Sequence, residues 1–132
     1  MKNLKELFIG HFDGSSIPNP GEMSIGGKIT NEENFTICTY SKALGHGTNN
    51  RAEYLSLIEL LKKAKDKEIK RIIIKGDSLL VVNQVNGLWG AKNSEMKRLK
   101  FEVLNLLEGF DEWKLEHVYR ENNKEADSLT RK

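Results

Sequence analysis

The amino-acid sequence predicts an α/β fold: a mixed five-stranded sheet, three antiparallel strands followed by two parallel ones, flanked by helices. Three observations carry this. The first third of the chain holds three strand-like segments separated only by short turns. From about position 50 onward, helical periodicity alternates with further strands. Between the two long helical patterns lies an unbroken apolar run, Ile72-Ile73-Ile74, of the kind found in a strand covered on both faces. The order is βββαβααβα, and its late strand–helix–strand steps require right-handed crossovers into one sheet.

Leu7 to Phe12 is the first strand, stopping at Asp13-Gly14. Pro18-Asn19-Pro20-Gly21 is a turn signal that leads into the second strand, Met23 to Thr30. Asn31-Glu32-Glu33-Asn34 makes a hairpin to the third strand, Phe35 to Lys42. A helix from about Asn50 to Lys65 follows, because Tyr54, Leu57, Ile58, Leu61 and Ala64 form one apolar stripe, and Thr48 or Asn49 can cap it. After the Ile72–Ile74 strand, Gly76-Asp77-Ser78 opens a short helix, Leu79 to Val85. Ser94 is a suitable cap for a longer helix with the stripe Met96, Leu99, Val103, Leu106, Leu107 and Phe110. Trp113 to Tyr119 alternates as a fifth strand, and Asn122 starts a final short helix carrying Glu125, Ala126, Asp127 and Leu129.

The sequence has 132 residues, which suits one domain over 1–132 with no internal repeat or linker. A domain of that size buries roughly two thirds of its unfolded surface without disulfides or structural metals. With 38% hydrophobic and 30% charged residues it is of ordinary globular composition. No apolar run approaches the ~18 residues of a membrane span, and Met1 to Glu6 lacks the apolar core of a leader peptide. A single cysteine, Cys38, excludes an internal disulfide and, with no export signal, gives the expectation of a reducing, cytoplasmic setting. Cys38 is expected to be a small half-buried hydrophobe in a strand rather than a nucleophile. The net charge of +2 implies no polyanionic partner by itself.

Four carboxylates change that. Asp13 is expected at the carboxyl end of the first strand, Glu53 in the first turn of the long helix, Asp77 where the apolar strand ends, and Asp127 in the first turns of the last helix. Singly, each has a bland explanation as a turn residue, a cap or a charge near a helix start. Jointly they occupy the strand ends and helix starts where sites form in open α/β sheets. If the first and fourth strands are neighbours, Asp13 and Asp77 end side by side. Converging carboxylates repel and raise one another's pKa unless a cation neutralises them. Hard divalent ions with oxygen ligands suit the task, and two of them about 3.5–4 Å apart clamp an in-line phosphodiester displacement. The residues therefore point to a Mg²⁺-dependent phosphoryl-transfer site.

The motifs around these acids resemble type 1 ribonuclease H. Asp13-Gly14-Ser15-Ser16 with Asn19-Pro20-Gly21 is similar to that family's opening signature, and Thr48-Asn49-Asn50-Arg51-Ala52-Glu53 to its second motif. Gly76-Asp77-Ser78-Leu79-Leu80-Val81-Val82-Asn83-Gln84 and Arg120-Glu121-Asn122-Asn123-Lys124-Glu125-Ala126-Asp127 resemble the third and fourth. The likeness runs from about Phe8 to Thr130 and is nearest to a short branch found in archaea and some bacteria, which also resembles modules of plant genomes. It implies a ribonuclease H-like fold and an endoribonuclease that hydrolyses the RNA strand of RNA/DNA hybrids with little sequence specificity, leaving 5′-phosphate and 3′-hydroxyl ends. It also implies two Mg²⁺ ions, with Mn²⁺ a substitute, held by Asp13, Glu53, Asp77 and Asp127 as catalytic metal ligands. By the same resemblance Asp13 bridges both ions, Asp77 helps to orient the attacking water, and Glu53 lies near a ribose 2′-hydroxyl. Asn49 and Asn50 match minor-groove positions, Asn19 and Thr48 lie near a DNA phosphate pocket, and Gly14 and Ser15 are carried over as further substrate-binding residues.

Two departures stand out. Many longer members carry a histidine in a glycine-rich loop before the last carboxylate; here Arg120-Glu121 stands in that place, and His11, His46 and His117 occupy no such position. Only Gly90-Ala91-Lys92-Asn93-Ser94-Glu95 separates Trp89 from Met96, which leaves no room for the basic protrusion of some members and predicts weaker, more salt-sensitive binding. Trp89 suits either core packing or contact with a deoxyribose. The seven basic residues between Lys62 and Lys75 are expected mainly as a solvated helix end and loop, with Lys75 near enough for a phosphate contact. Lys97, Arg98 and Lys100 can follow a DNA backbone. The expected partner is an RNA/DNA hybrid, with no membrane, no obligate protein partner and a monomeric chain. The alternatives are a non-catalytic hybrid-binding module and a metal nuclease acting also on double-stranded RNA.

Overall fold

Alternating apolar residues and two turns build the first half of the molecule. In the computed structural model, which describes residues 6 to 130, strands β1 (Leu7–Ile17), β2 (Gly21–Asn31) and β3 (Thr36–Gly47) form an antiparallel meander. The leader-peptide reading of Met1–Lys5 falls outside the described residues. All three strands are longer than their apolar patterns suggest. β1 continues through Asp13-Gly14 to Ile17, because Asp13 pairs with Gly26 and Ile17 with Glu22 across a ladder that the Pro18–Gly21 turn closes. β3 likewise absorbs Gly45-His46-Gly47, with a register irregularity opposite Met23 and Ser24.

Helix α1 (Asn49–Asp66) follows, with Thr48 as its cap: the Thr48 Oγ1 accepts from the Arg51 N–H at 3.2 Å. Strand β4 (Arg71–Gly76) pairs parallel to β1, and β5 (Glu112–His117) pairs parallel to β4, giving the order β3-β2-β1-β4-β5. Between them lie α2 (Leu79–Val85) and α3 (Ser94–Leu107). The cap of α3 is Asn93 rather than Ser94, its Oδ1 accepting from the Met96 N–H at 2.8 Å. A 3₁₀ turn, Arg120–Asn122, takes the place expected for the start of the last helix, so α4 begins two residues later, at Lys124, and runs to Thr130.

The two faces of the sheet are covered differently. Even-numbered β1 residues look toward α1: a Cβ on Gly10 would touch Leu60, and Phe12 is fully buried. There Tyr54, Leu57, Leu60 and Leu61 pack on Ile25, Ile29, Ile72 and Ile74, with α3 closing the layer through Leu99, Val103 and Leu107. Odd-numbered β1 residues look toward α4, which lies on β2, β1 and β3. A Cβ on Gly26 would stand 2.6 Å from the Leu129 Cβ and 2.8 Å from the Ala126 carbonyl, so glycine lets α4 seat directly on the strand. α4 does not extend over β4. Ile73 is accordingly only half-buried, and β4 alternates rather than being covered on both faces as its apolar run suggests. Cys38 is half-buried against the core, as its strand position predicts. Among the described residues no helix is long and apolar enough to cross a membrane.

Candidate active site

The parallel ladder between β1 and β4 ends at the pair Phe12–Gly76. The next residue on each strand is an aspartate, Asp13 and Asp77, so two adjacent strands deliver two carboxylates to one place. Glu53 comes from α1, in its second turn rather than its first, because the helix starts at Asn49. Its position is fixed from the strand side. Gly14 packs so tightly on α1 that a Cβ would lie 2.3 Å from the Ala52 carbonyl oxygen, and its N–H donates to Glu53 Oε1 at 2.9 Å.

Ligand oxygens of Asp13, Glu53 and Asp77 all lie within 4.8 Å of one another. Asp127, from the first turn of α4, stands outside that triad yet close enough to Asp13 to act on its protonation. Three of the four predicted acids thus form the cluster, and the fourth approaches from the opposite face of the sheet. Asp13 is 1% exposed and Glu53 9%. Burial, followed by the Asp77 and Asp127 carboxylates, pushes the Asp13 pKa up to about 8. Burial, then Asp13 and Asp77, also holds Glu53 well above the usual carboxylate range, opposed in part by the Gly14 N–H. The Oδ2 atoms of Asp13 and Asp77 are buried without a hydrogen-bond partner. Buried, mutually repelling and under-satisfied carboxylates are what a bound cation would relieve, and an all-oxygen donor set suits a hard divalent ion.

The predicted substrate-binding residues gather beside this cluster, at the junction of the β1–β2 turn and the start of α1. Asn19 Oδ1 accepts from the Asn49 N–H at 3.1 Å, Asn49 Oδ1 accepts from the Ser16 N–H at 2.6 Å, and Thr48 caps the helix. Asn19, Thr48 and Asn49 are therefore latches of the fold as well as exposed polar groups. Ser15 sits half-buried in β1, paired with Ser24. Asn50 opens onto a groove of about 730 Å³, also lined by Gln84, Leu88, Trp89, Lys92 and Asn93. Trp89 is no core residue: it is 46% exposed at that groove.

Several contributors escape a sequence reading. Arg120, noted only as standing where longer relatives carry a histidine, places its Nε 3.8 Å from Asp77 Oδ2. Ser16 is buried and donates through Oγ to the Gly47 carbonyl at 2.6 Å, joining β1 to the end of β3. Lys28 resembles a solvent-facing strand lysine, yet α4 covers it and Glu125 pairs with it at 2.7 Å. His11, beside Lys28 and Lys75, has its pKa lowered by burial and by both ammonium groups. Asn123, in the fourth motif, is 1% exposed beneath the start of α4.

Comparison with known proteins finds relatives and similar structures over most of the chain. A family model described as "Reverse transcriptase-like" matches residues 11–132. The chain is 36% identical over 119 residues to ribonuclease HI of Halobacterium salinarum, covering 90% of this chain and 60% of that protein. It is 35% identical over 118 residues to a bifunctional protein of Mycobacterium tuberculosis, of which it spans 32%. The chain thus corresponds to only part of the length of these relatives. In structure it is similar to the RNase H1 of Halobacterium salinarum, with a TM-score of 0.92, 34% identity and 95% of each chain covered. It is also similar to LC11-RNase H1, isolated from compost and solved in complex with an RNA/DNA hybrid, with a TM-score of 0.88, 31% identity and 94% of each chain covered.

Proposed function

The chain belongs to the type 1 ribonuclease H family, and from that premise we propose that it is a metal-dependent endoribonuclease that hydrolyses the RNA strand of RNA/DNA hybrids. The observation that carries the proposal is the triad of buried Asp13 and Glu53 with half-buried Asp77, whose ligand atoms lie within 4.8 Å of one another at the end of the β1–β4 ladder. Asp13, Glu53, Asp77 and Asp127 would hold two Mg²⁺ ions, with Mn²⁺ a substitute. When bound, such ions supply an activated water at neutral pH and offset the charge on the leaving oxygen.

The residues of the chain do the rest. Asp77 accepts a hydrogen bond from the attacking water and so aims it at the phosphorus. Glu53, held by the Gly14 N–H, faces the ribose 2′-hydroxyl, the group that distinguishes an RNA strand from DNA. Asn49 and Asn50 at the start of α1 approach the minor groove, with Asn19 and Thr48 beside the DNA strand, and Gly14 and Ser15 line the cleft between them. Trp89 and Lys92 give the adjacent groove one apolar and one cationic contact for the DNA backbone. None of these groups addresses a base edge in the major groove, so sequence preference is weak. Attack by water in line with the P–O3′ bond breaks that bond, and the 3′-oxygen leaves and takes up a proton, giving 5′-phosphate and 3′-hydroxyl ends.

The test is cleavage of labelled hybrid, duplex RNA and duplex DNA in Mg²⁺ and in Mn²⁺, wild type beside Asp77→Asn. The expected result is cutting of the hybrid's RNA strand by the wild type alone, with hybrid binding retained by the variant. Cutting of duplex RNA as well would widen the substrate class. Binding without cutting in either metal would make the chain a hybrid-binding module instead.

A further inference from the structure

Asp13 and Asp127 reach the acidic cluster by different routes. Asp13 is fixed in the central strand of the sheet, whereas Asp127 rides on α4, a helix of two turns on the opposite face from α1. Three contacts seat that helix on the meander: Lys28 pairs with Glu125, the Ser41 hydroxyl donates to the Leu129 carbonyl, and Gly26 leaves room for Leu129 and Ala126. All three anchor α4 to β2 or β3, the Gly26 contact lying opposite Asp13 in the β1–β2 ladder, and none of them is a hydrogen bond to β1 itself, the strand that carries Asp13.

Asn123 makes that connection. Its Nδ2 donates to the Phe12 carbonyl at 2.9 Å, across 111 positions of sequence, at the residue immediately before Asp13. Its own carbonyl accepts the Asp127 N–H at 3.0 Å, the first α-helical hydrogen bond that reaches Asp127. One buried residue thus links the backbone next to Asp13, through its side chain, to the backbone of Asp127, through its main chain. Its Oδ1 has no partner, so the Nδ2 bond is what orients the amide.

We propose that Asn123 is a positioning residue, setting the distance between Asp13 and Asp127 and thereby the affinity of the site for divalent metal. The inference rests on the reading of these acids as metal ligands but not on which nucleic acid is cut. Removing the amide while leaving the other α4 contacts intact should loosen Asp127 relative to Asp13 and weaken metal binding about tenfold, the usual scale for a group that orients a metal ligand.

The experiment measures Mn²⁺ binding by calorimetry on the full chain without nucleic acid, for wild type, Asn123→Ala, Asn123→Ser and Ser41→Ala. Thermal melting in chelator runs in parallel. Both Asn123 variants should bind Mn²⁺ about tenfold more weakly, while Ser41→Ala, which removes an α4 contact unrelated to Asp13, should bind as the wild type does. The metal concentration that half-saturates hybrid cleavage should rise by the same factor, with much of the lost rate recovered at high metal. Wild-type Mn²⁺ affinity in a folded Asn123 variant would overturn the proposal, and so would an equal loss in Ser41→Ala, which would indicate general loosening of α4. If Asn123→Ala fails to fold, Asn123→Ser decides, since it leaves a small polar side chain in the buried site whose hydroxyl is one bond too short to replace the amide at the Phe12 carbonyl. Failure of the wild type to cut hybrid would refute the assigned activity and leave the calorimetric result standing.

Discussion

The two faces of the sheet bring carboxylates to one point by opposite means. On one face α1 is an 18-residue helix buried along most of its length, and it carries Glu53 into place on a dry layer of Tyr54, Leu57, Leu60 and Leu61. On the other, α4 has seven residues, of which only Ala126 and Thr130 are buried, and it is held by an ion pair, a hydroxyl and the Asn123 amide. Packing is collective, so the loss of one contact is felt as stability across the whole layer, whereas single polar bonds are specific and individually replaceable. Glu53 should accordingly fail only when the domain fails, and Asp127 should be adjustable while the domain stays folded.

Five changes would break or sharpen that contrast. The largest effect is expected where the two faces meet: Asp77→Asn should lower hybrid cleavage by roughly three orders of magnitude or more, measured as kcat on a labelled hybrid, without loss of stability. On the packed face, Leu57→Ala should cost about 2–5 kcal/mol in urea unfolding, as for other buried leucines, with metal affinity preserved in the fraction that stays folded. On the polar face, Gly26→Ala should have the reverse character. The added methyl group would meet Leu129 and the α4 backbone, so Mn²⁺ affinity should fall severalfold while unfolding shifts by only about 1–3 kcal/mol.

The pH dependence follows from the raised Asp13. In chelator the folded chain keeps a proton on Asp13 up to about pH 8, whereas the unfolded chain releases it near the ordinary carboxylate value of about 4. Stability contributed by that proton is complete at low pH and is lost as pH rises through about 8. Melting in chelator should therefore fall by several degrees between roughly pH 5 and pH 8, and Asp13→Asn should flatten the curve. Saturating Mg²⁺ should flatten it as well, because binding a cation replaces the proton. The smallest change is Lys28→Ala. Its partner Glu125 is largely exposed and keeps its solvation, so the loss should be about 1 kcal/mol in unfolding.

Much of the site was legible because its motifs are local. Glu53, Asp77 and Asp127 each stand near a strand end or helix start that periodicity can place, Asp13 follows the apolar part of its strand although β1 itself runs on to Ile17, and adjacency of the first and fourth strands suffices to bring Asp13 to Asp77. What escaped is what long-range pairing decides. β1 passes through Asp13-Gly14 because β2 continues opposite it, which no local turn signal shows. Ile72-Ile73-Ile74 suggests a strand buried on both faces, but α4 covers only β1 to β3 and leaves Ile73 half-exposed. No local pattern signals the burial of Lys28 or Asn123, since α4 reaches Lys28 from the far end of the sequence and Asn123 reaches Phe12 across 111 positions.

The most direct test of the account is the chemistry of the cut ends. RNA released from an RNA/DNA hybrid by the wild-type chain in Mg²⁺ should carry a 3′-hydroxyl that a polymerase can extend and a 5′-phosphate that a phosphatase can remove, with no release in chelator or by Asp77→Asn. Products ending in a 2′,3′-cyclic phosphate, or cutting that persists without divalent metal, would contradict hydrolysis at the acidic cluster.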